Sequence, residues 1–119
     1  MMRRGRRWAL MVLMALAMGA QAADPMPSPA GAAHLKAERV RIERIFVDEV
    51  AGIAGATPAQ VRRGMPKGPR ITDTGRRVTE SLEHQTGRAL SDEQRAAIHA
   101  ADARREAALA RARADAAQR

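Results

Sequence analysis

Residues 91–118 read SDEQRAAIHAADARREAALARARADAAQ. Ser91-Asp92-Glu93-Gln94 has the form of a capping box, in which the serine hydroxyl accepts from the third helical amide and the glutamine reaches back. Asp92 and Glu93 suit the positive end of the helix dipole. No Gly or Pro interrupts the 24 residues that follow Gln94, and alanine has the best helix propensity. The segment is therefore predicted to be one long helix from Asp92 to about Gln118, roughly 40 Å in length. Its large apolar residues are only Ile98 and Leu109, so its second half is expected to project or to pair with another chain.

Moving toward the N-terminus, Gly87 is a natural stop for a helix running from Asp73 or Thr74 to Gln85, with Val78 and Leu82 on its core face. Thr57-Pro58-Ala59-Gln60 is another strong helix start, because proline at the first position loses no bond. Gly64 and Pro66 keep that helix short, and residues 65–74 form a basic connection. In residues 34–53, Leu35, Ile42, Phe46, Val50 and Ile53 recur at spacings of 7, 4, 4 and 3, with Ile45 beside the stripe. That spacing predicts a helix. A short strand over 39–47 competes, since Val40 and Ile42 alternate with charges, but Arg44 breaks the alternation. The fold class is all-α: a small bundle of three to four helices with a long Ala-rich C-terminal helix.

Residues 1–22 have the organisation of a bacterial secretory signal peptide. Arg3, Arg4, Arg6 and Arg7 precede Trp8–Ala20, 13 residues without a charge, and Ala20-Gln21-Ala22 supplies small residues at a cleavage site. The run is shorter than the roughly 20 apolar residues a membrane span needs. The paired arginines lack the twin-arginine context, so general secretion is expected, with cleavage after Ala22 and delivery to the periplasm or beyond. Residues 23–33 hold three prolines and a glycine and read as an extended, disordered linker. Residues 34–119 are then the helical domain.

Composition narrows the function. With no cysteine, the chain has no disulfide scaffold, cysteine zinc site or catalytic thiol. The 97 residues after Ala22 contain 22 alanines and only 17 large apolar residues, so the core is expected to be meagre. The formal charge of +8 falls to +4 when four leader arginines are removed. The remainder is concentrated. Residues 34–50 carry four bases and four acids, and residues 80–119 carry seven of each. Residues 51–79 instead carry Arg62, Arg63, Lys67, Arg70, Arg76 and Arg77 against Asp73 alone. Such a patch attracts anions, whether acidic protein segments, lipid headgroups, cell-wall polymer or nucleic acid, and it also fits a solvated loop that keeps the chain soluble. These six residues are the candidate binding site.

No pattern calls for catalysis or a cofactor. His34, His84 and His99 are not in metal-ligand spacing. Glu80 and His84 lie one helical turn apart, but the residue three before His84 is Ser81, so a Glu-x-x-His ligand pair is not formed. Asp48-Glu49 and Asp92-Glu93 are neighbours that point apart on a helix. The expected function is non-enzymatic.

Two stretches carry family resemblances. Residues 47–63, VDEVAGIAGATPAQVRR, resemble a helix-turn-helix of the LacI type, with Ala51, Gly55 and Val61 at the small, turn and core positions. The resemblance implies base-reading positions at Thr57, Pro58, Gln60 and Arg62. The same pattern is similar to the two-helix part of LysM cell-wall modules. Export would place the chain away from nucleic acid. Ala56-Thr57-Pro58-Ala59-Gln60 and Leu90-Ser91-Asp92-Glu93-Gln94-Arg95 resemble the Leu-Thr-x-x-Gln motifs of Spy/CpxP-like periplasmic proteins. That resemblance implies a small, stress-linked, all-α, dimeric chaperone that binds unfolded clients on a basic concave face. A homodimer through the C-terminal helix is the corresponding expectation for assembly.

Overall fold

The computed structural model describes residues 26–68 and 73–119. The expected signal peptide at residues 1–22 and the candidate Arg70 lie outside the described residues. Among the described residues four α-helices follow one another: α1 (Pro29–Ala54), α2 (Pro58–Gly64), α3 (Thr74–Thr86) and α4 (Asp92–Ala117). No strand occurs among the described residues, so residues 39–47 are helical throughout. The described residues fold as an all-α bundle of two helix pairs, α1 against α4 and the α2–α3 hairpin.

Local chemistry sets three of the four helix starts. Thr57 and Gln60 form a reciprocal capping box at α2, with bonds of 2.9 and 3.1 Å. Ser91 and Gln94 do the same at α4. α1 begins at Pro29, so residues 29–33 of the linker expected over residues 23–33 are helical instead. The Ser28 hydroxyl accepts from the Gly31 amide at 3.1 Å. Pro29 occupies the first helical position, where proline costs no hydrogen bond.

α3 starts differently. Asp73 sits at its N-cap in the left-handed region (φ 67°), and its side chain makes no capping bond. Asp102 of α4 instead accepts from the Gly75 amide at 3.1 Å, so this helix is capped from a neighbouring one.

The second half of α4 does not project. It lies antiparallel along α1, which corrects the expectation drawn from its lack of large apolar residues. Ala112 and Ala116 are buried, and Gly31 packs onto the backbone of Ala116 so closely that a Cβ there would meet its carbonyl oxygen. The Ser28 hydroxyl donates to the Arg119 carbonyl at 2.7 Å. At the other end, the Gln94 amide donates to the Ile53 carbonyl at 3.1 Å. Small side chains let the two backbones approach, so close packing takes the place of bulky hydrophobes.

The core is small. Phe46, Val47, Val50 and Ala51 of α1 meet Val61 of α2, Val78 and Leu82 of α3, and Ile98 and Ala101 of α4. Val47 is fully buried although the stripe read from sequence omits it, whereas Ile45 is half exposed. Ile42 and Phe46 line a hollow with Ala101, Arg105 and Ala108 of α4.

Candidate functional site

The expected basic patch is carried by the α2–α3 hairpin. Arg62 and Arg63 are exposed on α2, Lys67 is exposed in the connection, and Arg76 and Arg77 are exposed on α3. The two helices are held together by a close approach: a Cβ on Gly64 would lie 2.8 Å from the Ser81 Cβ. The Gln85 amide reinforces this by donating to the Gln60 carbonyl at 2.9 Å. Arg77 precedes Ser81 by one turn and so lies on the flank of α3 turned to α2.

The five described cations are not equivalent. Arg76 bonds Asp73 at 2.9 Å and Glu80 at 3.5 Å, which neutralises it within its own helix. Arg62, Arg63, Lys67 and Arg77 have no carboxylate partner among the described residues. Half-buried Met65 and Pro66 lie beside them. The free part of the patch is therefore four cations next to a small apolar surface, a combination that can hold an acidic chain segment.

The positions that a helix-turn-helix would use are partly committed. Thr57 and Gln60 bond each other in the capping box. Pro58 and Arg62 remain exposed, and α2 is only seven residues long. Glu80, the candidate neighbour of His84, faces Arg76. Among the described residues no group of three or more His, Asp or Glu side chains is placed to hold a metal ion. No described helix is long and apolar enough to cross a membrane.

A polar knot that sequence reading missed sits between the two helix pairs. Asp102 is 8% exposed and accepts from both the Gly75 amide and Arg105. Arg105 also donates to the Thr74 hydroxyl at 3.2 Å, and its guanidinium lies 5.5 Å from the centre of the Phe46 ring. Five residues from α1, α3 and α4 thus meet at one charged contact. Asp102 and Arg105 are neighbours on α4, but their partners lie 27 and 31 residues away, so no local spacing signals them.

Beside the knot runs an open groove. Arg39, Ile42 and Glu43 form one wall, Leu109 and Arg113 the other, and Met65 closes one end. Its volume is about 320 Å³. On the opposite flank of α1 and α4, Glu49 pairs with Arg104 across the helices and Glu38 with Arg41 at 2.7 Å along α1. The Arg41 hydrogen bond holds the Glu38 carboxyl below its ordinary pKa.

No protein-family model, no curated protein and no solved structure matches this chain.

Proposed function

We propose that this is an exported, non-enzymatic protein that binds acidic or unfolded segments of other proteins, in the manner of the Spy/CpxP-like chaperones that its helix-start motifs resemble. The observation that carries this reading is the set of exposed cations Arg62, Arg63, Lys67 and Arg77, which have no carboxylate partner among the described residues, beside half-buried Met65 and Pro66. Long-range attraction would gather acidic segments, and the small apolar surface would hold them. Binding would be modest and salt-sensitive, because exposed charges are screened within about 8 Å at physiological ionic strength.

The test is suppression of aggregation of a chemically denatured acidic client. Charge reversal at Arg62, Arg63, Lys67 and Arg77 is expected to abolish suppression, and reversal at the already paired Arg76 to weaken it far less. Absence of suppression by the unaltered chain overturns the reading. Cell fractionation with determination of the N-terminal residue tests export: periplasmic protein beginning at Ala23 is the expected result.

A second reading, a binding module for cell-wall polymer or nucleic acid, is favoured by the exposed Pro58 and Arg62 at a helix entered through a tight turn at Gly55. Anionic lipid headgroups belong to the same class of partner. Co-sedimentation with purified peptidoglycan and a DNA shift assay across salt separate these partners from a protein client. A DNA complex would show a log–log salt slope set by the phosphates contacted.

A further inference from the structure

The α2–α3 hairpin is joined to the α1–α4 pair through two glycines. Gly55 follows α1 with φ 64°, and Gly87 follows α3 with φ 68°. A Cβ on either would meet nothing within 4 Å among the described residues. Glycine in the left-handed region passes to other backbone conformations at little cost. The two joints lie side by side: Gly55, Thr86 and Arg88 line one hollow of about 380 Å³, which leaves room around both. The Gln94 amide donates to the Ile53 carbonyl at 3.1 Å, fixing the chain that enters the first joint to the helix that leaves the second. Both joints thus sit at one end of the hairpin, as a hinge requires.

At the other end of the hairpin, where α3 begins, the attachment is polar. Asp102 accepts from the Gly75 amide at 3.1 Å, and Arg105 donates to the Thr74 hydroxyl at 3.2 Å. Between joints and latch, Val61, Val78 and Leu82 rest on α1 and α4, with Met65 partly buried against the same core. The bonds of Glu83 to Leu90 and Arg95 lie next to Gly87, where a swing displaces the chain least. Each helix pair also has ties of its own. Gly64 packs on Ser81 and Gln85 bonds the Gln60 carbonyl, so α2 and α3 move together. Gly31 packs on Ala116, Ser28 bonds the Arg119 carbonyl and Glu49 pairs with Arg104, none of which involves the hairpin.

Closed, the molecule offers little to an apolar ligand. Among the described residues only Met26, Val40 and Ile45 are large apolar side chains more than half exposed. Val40 and Ile45 are five residues apart on α1 and so point to different sides of it. The larger apolar surface lies under the hairpin, where Phe46, Val47, Val50 and Ile98 are each at most 2% exposed. In sequence, Val61 is followed by Arg62 and Arg63, and Val78 is preceded by Arg77, so the inner apolar face of the hairpin borders on its free cations. We infer that the hairpin is a lid that swings as a unit about Gly55 and Gly87 when Asp102 lets go, and that opening uncovers the surface on which an apolar stretch of an unfolded chain binds. Acidic residues flanking such a stretch would meet the cations at the rim of the lid. The unfolded chain as occupant rests on the proposed function; the opening does not.

Hydrogen exchange of the unaltered chain, read amide by amide, tests the opening. The Val61, Val78 and Leu82 amides are expected to exchange through one shared event, about tenfold or more faster than the Ile42 and Ala108 amides. Asp102→Ala is expected to speed the first three selectively. A covalent lock tests what the lid covers. A Cβ on Gly75 would lie 3.4 Å from the Asp102 Cβ, close to the span of a disulfide, and the chain has no cysteine of its own. Gly75→Cys with Asp102→Cys is therefore expected to hold the lid shut when oxidised and to free it when reduced. The apolar anionic dye 8-anilinonaphthalene-1-sulfonate is expected to lose most of its fluorescence on oxidation and to regain it on reduction, and suppression of client aggregation is expected to follow the dye. Exchange of the three hairpin amides no faster than that of Ile42 and Ala108, or at unrelated rates, overturns the inference. So does a fully oxidised protein that binds the dye as well as the reduced one. Shared opening and a dye signal that follows the lock, with no suppression by the unaltered chain, would support the lid and count against the proposed function alone.

Discussion

At the scale of single residues, Gly31 and Gly52 occupy the same helix and predict opposite outcomes. A Cβ at Gly31 would collide with the Ala116 carbonyl, so Gly31→Ala must push α1 and α4 apart. A loss of about 1–3 kcal/mol is expected by denaturant unfolding. A Cβ at Gly52 meets nothing within 4 Å. Gly52→Ala is expected to stabilise by about 0.5–1 kcal/mol, because alanine restricts the unfolded chain and favours helix. Asp102 is the other decisive position. Asp102→Ala removes the cap on Gly75 and leaves Arg105 half-buried without its carboxylate. A loss of about 2–3 kcal/mol is expected, and Asp102→Asn, which keeps an acceptor, should lose less. Neither residue announces itself in the sequence. A glycine inside a proline-rich segment reads as a loop signal, and its meaning comes from a helix 85 residues away.

At the scale of elements, the capped starts of α2 and α4 were legible because each box is closed within three residues. Thr57 needs only Gln60, and Ser91 only Gln94. The position of the α3 start was legible at Asp73–Thr74, but the source of its capping bond was not, since Asp102 of α4 supplies it after the chain has turned back. The corner between α3 and α4 shows a related device. Glu83 accepts from the Leu90 amide at 2.9 Å and from Arg95 at 2.6 Å, tying the end of one helix to the start of the next. The Leu90 amide first, and then Arg95, hold its carboxyl below the ordinary value. A carboxyl lowered by folding stabilises fully above its unfolded pKa, near 4.3, and loses that contribution as pH falls through the folded value. Glu83→Gln is therefore expected to lower the melting temperature at pH 7 and to have much less effect at pH 2–3. Thermal melts of both proteins between those limits check it.

At the scale of the whole molecule, the helical class and the thin core follow from composition: many alanines, few large apolar residues and no strand-like segment that survives Arg44. The arrangement of the helices does not. Nothing in the spacing of Ala112 and Ala116 distinguishes a free helix from one laid against α1; the deciding contact is the absent side chain at Gly31. The basic patch was legible as a count but not as a surface, because pairing with Asp73 and Glu80 withdraws Arg76 from it. The clasp of the Ser28 hydroxyl on the Arg119 carbonyl has a topological consequence. Both ends of the bundle meet at one pole, while the Arg88–Ala89 corner lies at the other. A short Gly-Ser bridge from Arg119 to Met26, with the chain opened between Arg88 and Ala89, should yield a circular permutant with the helical spectrum and melting cooperativity of its parent.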